Sequence, residues 1–175
     1  LASRLLTGRS VSQEAERSVL ALFRAECGSQ YTSKADGMFR DIQFSEDLTT
    51  KFQAYCAGRV CPVRLSAAVL SSHLWALKAP AECVLPKAVL DACALYEEFF
   101  TKEFDSRKLT WMHSLGIADV RVAITPTKVY SFLLSAHQLS ILSSIFCDAA
   151  ADSGVTVERL AALTKLPRTD IRRCL

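Results

Sequence analysis

Along the first sixty positions, hydrophobic residues recur every three to four residues, and each recurrence stops at a turn or capping residue. Leu1 to Leu6 reads as the end of a basic, apolar helix closed by Gly8. Ser10 with Gln13, or Ser12 with Glu14, supplies an N-cap for the next helix, whose Ala15, Val19, Leu22, Phe23 and Cys27 share a face and which ends at Gly28. Thr32 is placed to cap a third helix carrying Met38, Phe39 and Ile42. Ser45, with Glu46 and Asp47 in the first turn, is placed to cap a fourth carrying Leu48, Phe52 and Tyr55, ended by Gly58. Each helix is apolar on one stripe only, so residues 1–58 predict a segment of a helical bundle.

Between Arg107 and Ser135 the period changes to two. Leu109 and Trp111 share one face of an extended run, as do Val120, Val122 and Ile124, while Tyr130, Phe132 and Leu134 oppose Val129, Ser131 and Leu133. Thr125-Pro126-Thr127-Lys128 is short and polar with Pro at a turn position, which predicts an antiparallel hairpin. A sheet of about three strands keeps two edges with unpaired backbone groups, and these must be covered, blunted or offered to another chain.

Leu85-Pro86 starts a helix between the bundle and the hairpin, with Val89, Cys93, Tyr96, Phe100 and Phe104 inward. After the hairpin, Ala136 to Ala150 reads as a helix with Leu139, Leu142, Ile145 and Phe146 inward. A turn at Ser153-Gly154, a helix from Thr156 to Thr164 and another opened by Pro167 with Ile171 follow. Helix, turn and helix beside a hairpin is the winged-helix pattern. Residues 63–77 are ambiguous, since Leu65, Val69, His73 and Leu77 fall at i, i+4 spacing in an Ala- and Leu-rich run that local propensity assigns to a helix.

Composition narrows the picture. The 175 residues are 50% hydrophobic and 22% charged, a globular balance with room for one large domain or two small ones. The net charge of +3 is carried by residues 155–175, where five Lys or Arg face Glu158 and Asp170; the rest is balanced, and no general nucleic-acid footprint follows. Seven scattered cysteines, mostly on apolar stripes, are the usage of free thiols in a reducing compartment, so an intracellular protein is expected. No apolar run reaches the ~18 residues of a membrane span, and no membrane partner is expected. The chain opens on Leu1 and stops at Leu175 inside helical patterns, the expectation for part of a longer protein.

Candidate chemistry is sparse. Arg168, Arg172 and Arg173 on the last helix could enter a major groove, but Asp170 sits among them and no flanking basic stretch supplies phosphate contacts. His73, His113 and His137 form no ligand spacing with the cysteines, so neither metal nor cofactor is expected. Cys27 beside Glu26 has no placed base, and no nucleophile elbow, P-loop, dinucleotide or kinase signature is present, which predicts no catalytic residue.

Five stretches carry a resemblance: Leu1-Ala2-Ser3-Arg4-Leu5-Leu6, Ser10-Val11-Ser12, Glu26-Cys27-Gly28, then above all Tyr31-Thr32-Ser33-Lys34-Ala35-Asp36-Gly37-Met38-Phe39-Arg40-Asp41-Ile42, and Ser106-Arg107-Lys108-Leu109-Thr110-Trp111-Met112-His113 before the paired strands. In order and spacing they resemble the cullins, the scaffold subunits of multisubunit ubiquitin ligases, over nearly the whole chain. The cullin-like subunit of the anaphase-promoting complex is a more distant likeness, and a winged-helix nucleic-acid-binding module is the alternative from another class.

The resemblance implies an α+β, mostly helical fold: the end of a helical bundle (1–58), a small α/β subdomain (59–135) with a three- to four-stranded antiparallel sheet, then a truncated winged-helix subdomain (136–175). Against the local helix signal, it implies a strand over Val63 to Leu70, whose sheet is completed by a strand of a RING-box zinc protein. Leu65, Ala67 and Val69 would form one row and Ser66, Ala68 and Leu70 the other. Val63, Arg64 and Trp75 complete the implied docking residues. His73-Leu74-Trp75-Ala76 stands where the family usually shows a Gly-Tyr-Trp-Pro-like stop. Arg4, Arg9 and Lys34 would belong to a basic groove for the acidic tail of a ubiquitin-conjugating enzyme, itself recruited through the RING subunit. Substrate adaptors would bind through N-terminal repeats outside this sequence, and the lysine that receives a ubiquitin-like modifier would also lie outside it. The implied role is a non-catalytic scaffold of the cytoplasm and nucleus.

Overall fold

Ser12 caps the first described helix. Its hydroxyl accepts from the backbone N–H groups of Glu14 (3.2 Å) and Ala15 (3.4 Å), satisfying donors that have no partner inside the helix. The structure is a computed structural model, and it describes residues 12–61, 63–75, 77, 83–125, 128–148 and 156–174. Helix α1 (Gln13–Cys27) stops at Gly28, whose φ of 88° with ψ of 161° lies in a region that only glycine adopts cheaply. The chain turns there into α2 (Ser29–Cys56), 28 residues long. The expected helical end at 1–6 lies outside the described residues.

Two expected helices are thus one. Ser45 does not cap a new helix, because its hydroxyl donates back to the carbonyl of Asp41 at 2.7 Å and so leaves the backbone ladder intact. Thr32 and Thr49 bond back in the same way, to Ser29 and Ser45 carbonyls. Phe39, Leu48 and Phe52 form the buried stripe of α2. The stripe expected to be inward on α1 is exposed instead, with Val19, Leu22 and Phe23 at the surface; α1 meets α2 through Arg17 and Arg24, which bond to Gln43, Thr32 and Asp36.

The chain divides into two compact units. The described residues of 1–60 and 65–78 form one, and those of 61–64 and 79–175 the other. The second begins with α3 (Lys87–Glu103), entered at Pro86, where the fixed φ suits a helix start. Tyr96 on α3 lies at the centre of an aromatic cluster, with ring centroids 5.9 Å from Phe99, 6.5 Å from Phe100 and 5.8 Å from Trp111. A short 3-10 turn (His113–Leu115) leads into β1 (Ile117–Thr125) and β2 (Lys128–Ser135), paired antiparallel with Val120 opposite Phe132 and Val122 opposite Tyr130.

The sheet has these two strands among the described residues, not three or four. Leu109 and Trp111 do not join it. Trp111 is held sideways, its indole N–H donating to Glu97 at 2.6 Å and its ring edge-on to Tyr96, which removes that run from any ladder. Residues 63–70 are neither helical nor paired in the sheet.

Ser135 and Gln138 cap each other across the end of β2, side chain to backbone in both directions (3.0 and 3.3 Å), and start α4 (Ala136–Asp148). Thr156 caps α5 (Val157–Thr164), and α6 (Arg168–Cys174) follows. Ile141, Leu160, Leu166 and Ile171 form the core of these three helices; Ile141 takes the inward place expected of Phe146, which is exposed. Cys83 and Val84 are stitched onto that core by the Ser140 hydroxyl to the Val84 carbonyl (2.6 Å) and by the Val84 N–H to the Thr164 carbonyl (3.3 Å). The architecture is α+β and mostly helical, as expected.

Candidate functional site

The first unit holds an extended stretch against α2 by side chains rather than by a partner strand. Within residues 65–70 burial alternates: Leu65, Ala67 and Val69 are turned inward, while Ser66 and Ala68 are exposed. This is the period of a strand. Among the described residues no backbone N–H or C=O of 63–70 bonds to another backbone group.

One residue of α2 stands in for the missing ladder. The hydroxyl of Ser45, a buried residue, accepts from the Val69 N–H at 2.8 Å, and the Val69 carbonyl lies 3.2 Å from it, a second and longer acceptor for the one proton it shares with the Asp41 carbonyl. Thr49 and Ser66 approach within 3.5 Å one turn along. Because both backbone groups of Val69 face α2, alternation turns those of Ala68 and Ser66 to the opposite edge.

The far end of the stretch is fixed by Asp41. Its carboxylate accepts from the Ser71 N–H (2.8 Å), the Ser71 hydroxyl (3.0 Å) and the Trp75 indole N–H (2.9 Å). Residues 71–75 make a single turn there, with Leu74 and Trp75 donating to the Ser71 carbonyl. Gly37 lets Leu74 onto the helix, since a Cβ at that position would stand 2.6 Å from Leu74 Cδ1.

Of the residues expected to dock a RING subunit, Arg64, Ser66 and Ala68 are exposed and Leu65, Val69 and Leu70 half-buried. Ala67 is buried at 9% exposure. Trp75, at 2%, is buried within the unit and serves as an anchor. Val63 and Arg64 group with the second unit. Lys34 is exposed on α2; Arg4 and Arg9 lie outside the described residues. Asp41 and Ser45, the side chains that hold the edge, were missed as site residues. Asp41 lies inside the cullin-like run, but no local pattern marks a helical Asp that pairs thirty residues ahead.

Elsewhere the chemistry is structural. Burial pushes the Tyr96 hydroxyl up to about 12, and pushes the Cys93 thiol up, with the Glu97 carboxylate adding to it. Cys83 is raised mainly by burial, and such thiols are poor nucleophiles. Burial lowers His113, with Glu97 opposing, where its ring stacks on Trp111. Cys27 is exposed at the end of α1. His73 is exposed, and among the described residues no group of His, Cys, Asp and Glu could hold a metal ion. No described helix is long and apolar enough to cross a membrane. On α6, Arg168 pairs with Glu158 at 3.6 Å.

Two family models match the sequence. One, described as the cullin alpha solenoid domain, covers residues 1–49; the other, the cullin alpha+beta domain, covers 69–175. The chain belongs to the cullin family. This cullin segment is 34% identical to Cullin-3 of Dictyostelium discoideum over 177 aligned residues, covering all of the segment and 22% of that relative. It is 31% identical to Cullin-3A of Arabidopsis thaliana and 30% to Cullin-4A of Mus musculus, again over the whole segment and 23% of each relative. The chain therefore spans less than a quarter of these curated relatives. The alpha+beta match begins at Val69, the residue seated on Ser45, and runs through the hairpin and the last three helices.

Proposed function

We propose that this cullin segment is a scaffold part of a ubiquitin ligase, and that residues 65–70 present an edge to which a RING-box zinc protein adds a strand. The observation that carries the reading is the alternating stretch whose inward Val69 N–H is taken by Ser45 and whose Ser66 and Ala68 backbone groups have no backbone partner among the described residues. An edge of this kind supplies affinity through main-chain hydrogen bonds and selectivity through alternate side chains. Anchoring by Asp41 and Ser45 lowers the ordering cost of binding, because the strand is already laid out.

The RING subunit would recruit a ubiquitin-conjugating enzyme, so the contribution of this chain is proximity and orientation rather than reacting side chains. Substrate adaptors would engage the longer protein outside this segment. The helices after the hairpin would act as a winged-helix subdomain that braces the platform, and the complex would work in cytoplasm and nucleus.

The test is capture of the chain by a purified RING-box protein, followed by size-exclusion chromatography. A one-to-one complex is expected. Ala68→Pro, which deletes an outward donor, should weaken it at least tenfold, while Ala68→Ser should not. Equal capture of the proline variant would overturn strand addition, and salt-sensitive duplex binding without RING capture would favour a nucleic-acid module.

A further inference from the structure

Away from the strand edge, α1 and α2 leave an open groove of about 730 Å³ between them. Arg17 and Arg24 stand two turns apart on α1, and Asp36, Arg40 and Gln43 follow the facing stripe of α2. Two of the three guanidinium groups are held in place. Arg17 lies over the Phe39 ring, 5.4 Å from its centroid, and donates through Nη2 to Gln43 Oε1 at 3.4 Å. Arg24 pairs with Asp36 and donates through Nε to the Thr32 hydroxyl at 3.4 Å. Arg40 is exposed and makes no hydrogen bond or ion pair among the described residues.

Three guanidinium groups and one carboxylate leave a net charge of +2 in a concave site. We propose that the groove binds a phosphate monoester carried on a polypeptide, a phosphoserine or phosphothreonine. Such a group carries close to two negative charges at neutral pH and three acceptor oxygens, which matches the charge excess of the groove and the forked geometry of Arg. A carboxylate side chain would neutralise half of that excess, and Asp36 already supplies one. A free phosphate would fill little of the volume, whereas the Phe39 ring and the Gln43 amide give the residues flanking a phosphorylated side chain something to lie on. The proposal rests on α1 and α2 alone and is independent of the strand edge.

Fluorescence anisotropy with the 175-residue chain tests it. The probes are a labelled seven-residue alanine and glycine peptide with a central phosphoserine, and the same peptide with serine or aspartate there. The phosphopeptide should bind at least tenfold tighter than either control. Arg40→Ala should weaken it at least tenfold and Arg40→Lys severalfold, because lysine keeps the charge and loses the fork; Arg40 is exposed, and an unchanged circular dichroism spectrum shows that each variant is folded. Inorganic phosphate should compete only at far higher concentration. The proposal is overturned if the aspartate peptide binds equally well, if Arg40→Ala changes nothing, if inorganic phosphate competes as well as the peptide, or if no phosphopeptide binds at millimolar concentration.

Discussion

Replacing Asp41 by alanine removes three hydrogen bonds through one side chain, from the Ser71 N–H, the Ser71 hydroxyl and the Trp75 indole. Trp75 is 2% exposed, so its N–H is left without water as well as without a partner. An orphaned buried donor costs about 1–3 kcal/mol. The Ser71 groups are half-buried and can be partly rehydrated, and the three bonds share one acceptor, so the losses do not simply add. The expected destabilisation of the first unit is therefore about 3 kcal/mol, equivalent to a fall of roughly 1.5 M in the urea midpoint for a slope of about 2 kcal/mol/M. Asp41→Asn keeps an acceptor oxygen but loses the charge and one oxygen, and should cost about half as much. Urea unfolding in a Trp111→Phe background, where Trp75 is the sole indole, reads the transition at the right place. A midpoint within about 0.3 M of the parent, with unchanged Trp75 emission, would refute the anchoring role of this carboxylate.

Gly37→Ala should gain less with Leu74 present than without it. With Leu74 present the new methyl meets Leu74 Cδ1 at 2.6 Å and offsets the gain in helix propensity, whereas in a Leu74→Ala background the same change should stabilise by about 1 kcal/mol, read as a double-mutant cycle in urea. Alkaline stability should depend on Tyr96. Its hydroxyl is raised from 10 to about 12 on folding, so the stabilisation is intact below pH 10 and lost as pH climbs through 12, roughly 3 kcal/mol in all; Tyr96→Phe should flatten that limb of the stability curve, and an unchanged limb would contradict burial of the phenol.

Elements whose signal is local were legible in the sequence. The cap at Ser12, one of the two the sequence offered, the helix beginning beside Thr156, the terminator at Gly28 and the period of two on either side of Pro126 each lie within a few residues of what they specify. Two features were misread because a distant partner decides them. Ser45-Glu46-Asp47 has the chemistry of a helix start, yet Ser45 spends its hydroxyl on Asp41 and on Val69, 24 residues away. Residues 63–77 have the composition of a helix, but Ser45 and Asp41 capture the backbone at Val69 and Ser71, and the described residues 65–75 form an extended run followed by one turn. Leu109 and Trp111 alternate like a strand, and the pull of Glu97 and Tyr96 on the indole overrides the pattern. The resemblance to cullins implied a strand over 63–70; the structure shows an extended run with no paired strand among the described residues, and the side chains that hold it emerged only from the fold.

Residue-resolved hydrogen exchange of the chain, alone and with a RING-box protein, tests the docking edge most directly. The Val69 amide, bonded to Ser45, should exchange slowly in both states, while the Ser66 and Ala68 amides should exchange freely alone and slow by at least a hundredfold in the complex. A complex that forms while Ser66 and Ala68 keep exchanging at their free rates would contradict the account.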